Sequence, residues 1–138
     1  MNKKGFTLAE LLGVIVILSI IGIIAFTGID RNIKNGRYTS CKTQEKNLIE
    51  STKVMVIDYP NVLPTISSPT EVPIAVLQDG GTIKSQVISG GYIEDNLENP
   101  MTEKPYAQSN VKVKITTTNG KDYNYEVIFA NEKESCHK

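Results

Sequence analysis

Glu10 is the side chain with the most unusual chemistry in this chain, a lone carboxylate followed by an uncharged apolar run from Leu11 to Ile29. Hydrocarbon cannot solvate it, and an ionisable group in such a segment marks a function rather than a packing choice. The chemistry open to it is ion pairing with a cation. Next come the cysteines, Cys41 and Cys136, which could be joined in a disulfide or remain as two buried thiols. The single histidine, His137, adjoins Cys136, but neighbouring positions do not give a nucleophile and its base a working geometry. Asp95, Asn96, Glu98 and Asn99 make an oxygen-rich stretch whose spacing fits no standard calcium loop and reads as a polar turn. No catalytic constellation, metal set or cofactor motif stands out.

The segment around Glu10 has the length of a membrane span. Leu11 to Ile29 rises about 1.5 Å per residue and nearly crosses a hydrocarbon core of roughly 30 Å. Lys3 and Lys4 precede it and would hold the N-terminus in the cytoplasm. A cleaved secretory signal would need a small-residue site after the apolar run, and Ala25-Phe26-Thr27 is a poor one. A plain anchor explains the length and orientation but leaves Glu10 unexplained.

Lys4-Gly5-Phe6-Thr7-Leu8-Ala9-Glu10-Leu11-Leu12 resembles the leader and helix start of type IV prepilins and pseudopilins. The resemblance implies a peptidase and methyltransferase that cuts between Gly5 and Phe6 and methylates the new N-terminus. It also implies that Glu10 takes the role of the family's assembly glutamate, paired with the ammonium of Phe6 on a neighbouring subunit. A methylated amine keeps its charge, so the pair would survive the modification. The alternative is that Glu10 only snorkels to the headgroups. The implied partners are other pilin subunits, an assembly platform with its ATPase, and the membrane before assembly. On this reading the chain is a structural subunit and no enzyme. It divides into a leader (1–5), a transmembrane and filament-core helix (6–29) and a head domain (30–138), and passes from a single-pass membrane protein to a cell-surface filament.

The charge balance agrees with a module that is not a nucleic-acid binder. The chain carries 15 basic and 15 acidic residues, and loss of Lys3 and Lys4 would leave it mildly acidic. Nucleic-acid binders are normally basic or concentrate basic residues on one face. Lys112, Lys114 and Lys121 could touch DNA, but they read more simply as a solvated outer face.

The elements that must position these residues follow from periodicity. Ile33, Cys41, Leu48, Thr52, Met55 and Tyr59 recur at helical spacing, opposite Lys42, Glu45, Lys46, Glu50 and Lys53. One helix is expected from about Phe6 to Tyr59, apolar in its first half, amphipathic in its second, and stopped by Pro60. Gly13, Gly22, Gly28 and Gly36 interrupt it, and Thr27 stands where many relatives of the resembled family have a proline. A proline-rich loop follows, with a short strand or helical turn at 74–77 and a short helix from Thr82 to Ser89 with Ile83, Val87 and Ile88 inward. Gly91-Tyr92-Ile93 and Asn99-Pro100-Met101-Thr102 resemble segments that precede the sheet in small pilins.

Val111–Thr117 and Asp122–Phe129 alternate in polarity about Asn119-Gly120, which predicts an antiparallel hairpin on a two-residue type I′ turn. Val111, Val113, Ile115, Tyr123, Tyr125, Val127 and Phe129 would face inward. A lone hairpin is marginal in water, so it should pack on the helical stripe and gain a third strand. The expected class is α+β and pilin-like, a long N-terminal helix on a small antiparallel sheet. A Cys41–Cys136 bridge would then clip the tail to the helix.

Overall fold

A computed structural model describes residues 5–106 and 111–136. Lys3, Lys4 and His137 lie outside the described residues. The first helix, α1, runs Leu8–Asp58, and the chain forms two compact units, Met1–Gly36 and Arg37–Lys138.

Among the described residues of the first unit, α1 is the whole of the secondary structure. Every large apolar side chain from Phe6 to Ile29 is more than half exposed. It is the one helix among the described residues long and apolar enough to cross a membrane. The hydroxyls in its apolar run satisfy themselves within the helix: Ser19 donates to the Ile15 carbonyl (2.7 Å) and Thr27 to that of Ile24 (3.0 Å). Self-satisfaction of this kind suits a segment with no water around it. Ile33 was expected on the inward stripe, yet it is 48 % exposed because its unit contains nothing else for it to pack on.

The second unit has an α+β, pilin-like architecture. Cys41, Leu48, Thr52, Met55 and Val56 form the buried face of α1. Tyr59 bonds back to the Met55 carbonyl, and Pro60 opens a single 3₁₀ turn instead of continuing the helix. The sheet has the order β1-β6-β7, with β1 (Thr70–Pro73), β6 (Val111–Thr117) and β7 (Tyr123–Phe129) all antiparallel. Alternation in β6 is strict: Val111, Val113, Ile115 and Thr117 are buried. Opposite them stand Phe129, Val127, Tyr125 and Tyr123, partly buried against the same core. Thus the inward row of the hairpin is the expected one, and β1 is its third strand.

Two local expectations fail. Residues 82–89 are not a helix but a hairpin of β2 (Gly81–Ile83) and β3 (Gln86–Ile88). Lys84 and Ser85 both take positive φ (47° and 67°) at its two-residue turn. The Lys84 ammonium reaches the carbonyls of Leu63 (3.3 Å) and Ser68 (3.4 Å), tying the turn to the proline-rich loop. Strand alternation buries Ile83 and Ile88 and turns Val87 outward.

The other failure is the type I′ turn. Thr117 pairs with Tyr123, so residues 118–122 form a five-residue loop. Type I′ needs positive φ at both central residues, and only Gly120 has it (71°). Asn119 instead uses its side-chain oxygen to accept from the amides of Lys121 (2.9 Å) and Asp122 (2.8 Å).

The segment at 74–77, open between strand and helical turn, is helical: α2 spans Ile74–Asp79. Its end meets the end of β3 so closely that a Cβ on Gly90 would strike the Gln78 carbonyl and the Gly80 backbone. Gly91 and Tyr92 then bond the Gln78 (2.8 Å) and Leu77 (2.9 Å) carbonyls, closing α2. Two short strands, β4 (Glu98–Asn99) and β5 (Lys104–Pro105), form a further pair.

Candidate functional site

Phe6 and Glu10 lie at the start of α1. Gly5 to Thr7 precede the helix, and Phe6 is 90 % exposed. The Gly5–Phe6 peptide bond therefore sits in non-helical chain. Leu11 N–H donates to the Thr7 carbonyl (3.2 Å), which makes Thr7 the capping residue. The Glu10 amide donates to the Thr7 hydroxyl (3.3 Å), and the Thr7 amide donates to Glu10 Oε2 (3.0 Å).

This reciprocal pair is a capping box, and it satisfies two amides that lipid would leave bare. The carboxylate lies in the first turn of α1, where the helix dipole favours negative charge. Thr7 escaped the sequence reading, although Thr-x-x-Glu before an apolar run is a legible signal for it. Among the described residues nothing donates to Glu10 Oε1, which leaves the carboxylate an oxygen for a further donor while it caps.

The second constellation surrounds the cysteines. Cys41 and Cys136 are disulfide-bonded with their Cα atoms 5.5 Å apart, both almost wholly buried, 95 residues apart in sequence. Beside them the Tyr106 hydroxyl donates to Gln44 Oε1 (2.9 Å), and Gln44 Nε2 donates to the Glu98 carbonyl (3.0 Å). Burial, then the negative charges of Glu45 and Glu134, push Tyr106 up to about 12. Arg37 pairs with Glu103.

Asn99 is the hub of the oxygen-rich stretch. It is buried, donates from Nδ2 to the Glu134 carbonyl (2.7 Å) and accepts at Oδ1 from the Met101 amide (2.8 Å). Asp95, Asn96 and Glu98 are exposed, and among the described residues no group of three or more His, Cys, Asp or Glu is placed to hold a metal. The Asn99 side chain fastens the tail rather than reaching outward.

The lysines of the sheet do not form a basic stripe. Lys112 pairs with Glu71 (3.2 Å), and Lys114 stands in register between Glu71 and Glu126. Lys121 is exposed in the 118–122 loop.

Residues 1–26 match the family model of the prokaryotic N-terminal methylation motif. No curated protein matches the chain, and no solved structure does. The match and the long apolar helix together support a pilin-like or pseudopilin-like protein of structural type, with a prepilin leader and a helix able to span a membrane.

Proposed function

We propose that this chain is a structural subunit of a type IV pilus-like filament serving adhesion, motility or DNA uptake. A prepilin peptidase cuts between Gly5 and Phe6 and methylates Phe6, after which an assembly platform and its ATPase move the subunit from the membrane into the filament. The apolar segment 6–29 supplies the packing between subunits, and the domain from residue 30 is the head. The observation that carries this reading is the methylation motif over residues 1–26, set on a helical segment, up to Ile29, whose large apolar side chains are all exposed. Such a helix needs lipid or copies of itself around it. Glu10 retains an oxygen for the Phe6 ammonium of a neighbour, a contact that would set the axial register of repeated heterologous packing.

Two other readings remain in play. A pseudopilin of a secretion or competence system would share this leader and helix. The capping box favours the third, a membrane-anchored domain that never polymerises and in which Glu10 serves only its own helix. The intact mass and N-terminal peptide of the native protein separate the two filament readings from the anchored domain. A chain beginning at methylated Phe6 is expected; one retaining residues 1–5 would overturn processing and assembly together.

A further inference from the structure

Asn119-Gly120 has no part in the proposed assembly, yet it is the most self-reactive kind of dipeptide in a protein chain. The Gly120 amide nitrogen can lose its proton and attack Asn119 Cγ; the Cγ–Nδ2 bond breaks and ammonia leaves, closing a succinimide. Water then opens the ring at either carbonyl, giving aspartate or, by the other cleavage, isoaspartate. Glycine speeds the step because no side chain shields its amide. The dipeptide lies at the exposed tip between β6 and β7, where solvent reaches it.

We infer that Asn119 is a spontaneous modification site held shut by its own loop, with Thr117 as the residue that restrains it. The nucleophile is occupied: the Gly120 amide donates to the Thr117 hydroxyl oxygen (2.9 Å). That hydroxyl is itself fixed, donating to the Asp122 carbonyl (2.7 Å) from a residue that is 7 % exposed. The electrophile is held too. Asn119 Oδ1 accepts from the amides of Lys121 and Asp122, and Nδ2 donates to Asp122 Oδ2 (2.6 Å). Closing the ring requires the carboxamide to swing onto the Gly120 nitrogen, which breaks these bonds together.

Conversion would alter the loop, not merely relabel it. The Nδ2 donor is replaced by a carboxylate oxygen facing the Asp122 carboxylate, so an attraction becomes a like-charge contact. Isoaspartate also lengthens the backbone by one atom beside the Thr117–Tyr123 pair that closes the sheet. The hairpin tip would loosen as the protein ages.

The test follows full-length protein in detergent at neutral pH over time, reading Asn119 and Asn35 by peptide mass and isoaspartate by enzymatic methyl labelling. Asn35-Gly36, within α1, is the internal reference. Asn119 should convert several-fold more slowly in the folded protein than in the same protein reduced and held in denaturant. Thr117→Val should speed conversion at Asn119 while leaving Asn35 unchanged, and Thr117→Ser, which keeps the hydroxyl, should restore the slow rate. Equal rates in folded and unfolded wild type, or an unaltered rate in Thr117→Val, would overturn the restraint. If the valine variant misfolds, the wild-type comparison still decides whether the folded loop restrains Asn119, and Thr117→Ala takes over as the test of the hydroxyl.

Discussion

A glutamine at position 10 separates the two uses of Glu10, because an amide can complete a capping box but cannot pair with an ammonium. If Glu10 only caps, Glu10→Gln should behave as wild type, whereas Glu10→Ala should loosen the first turn by removing half of the capping box. If the charge sets subunit register, both variants should be cleaved normally and both should lose most of their filament yield, measured as sheared filament against cell-bound chain. Assembly of the glutamine variant at wild-type level would end the ion-pair reading. Tyrosines give the pH axis at this scale. Tyr92 is pushed up to about 12 by burial and by its bond to Asp58 (2.6 Å), and Tyr106 reaches about the same value. Their ordinary value is 10.0. A folded value above the unfolded one means the contribution is intact below pH 10.0 and is lost as pH rises toward about 12. Alkaline titration should show Tyr59, lowered by its Ser89 bonds, ionising early, with unfolding as the buried phenols follow. Tyr106→Phe should flatten the stability loss across that window, and an unchanged slope would remove Tyr106 as its source. Glu10 stood out in the sequence because a charge next to an apolar run is costly and calls for a reason. Thr7 is no less legible once the glutamate is read as the third residue of its own helix instead of only as another subunit's partner.

At the scale of elements, legibility followed how far the pattern was local. The β6–β7 row was readable because alternation over seven residues has one interpretation, and α1 because its stripe is long. Residues 82–89 misled because Ile83 and Ile88 are compatible with either period, and the deciding feature is remote: Lys84 finds its carbonyl partners in the 63–68 loop. Gly80 and Gly90 mark a close backbone contact between the end of α2 and the end of β3. That contact makes a sharp prediction. Since backbone atoms surround the Gly90 site and cannot rotate away, Gly90→Ala should destabilise the head by about 1–3 kcal/mol. Gly36→Ala is its control, for nothing lies within 4 Å of the added methyl and mid-helix alanine is favoured. Denaturant midpoints that fell equally in both variants would mean that glycine flexibility, not close approach, matters at position 90.

For the molecule as a whole, the chain's two units answer to different solvents, and only one is stabilised by its own core. Residues up to Gly36 expose their apolar side chains and depend on lipid or other chains, while Arg37 onward buries a core of Leu48, Met55, Val72, Ile74, Leu77 and the β6 row. The division was legible in outline from hydropathy. The Cys41–Cys136 bridge on the tail was legible too; what was not is that Asn99, Tyr106 and Glu134, scattered through the sequence, converge around it in one tail-fastening cluster. Convergence of that kind depends on tertiary folding, which periodicity does not report. The bridge is the strongest single restraint in the cluster. Closing a loop of 95 residues restricts the unfolded chain, and the chain-entropy model puts the gain at about 4–5 kcal/mol. A small domain has only about 5–15 kcal/mol in total, so reduction should bring the head close to its unfolding threshold at the low end of that range. Chemical denaturation of the full-length protein with and without reductant, read by a probe in the sheet, should show the midpoint falling sharply. The Cys41→Ser/Cys136→Ser double variant should follow the reduced form. If the midpoint hardly moves, the hydrogen bonds of Asn99 and Gln44 are holding the tail without help, and export to an oxidising compartment would not be a condition for completing the fold.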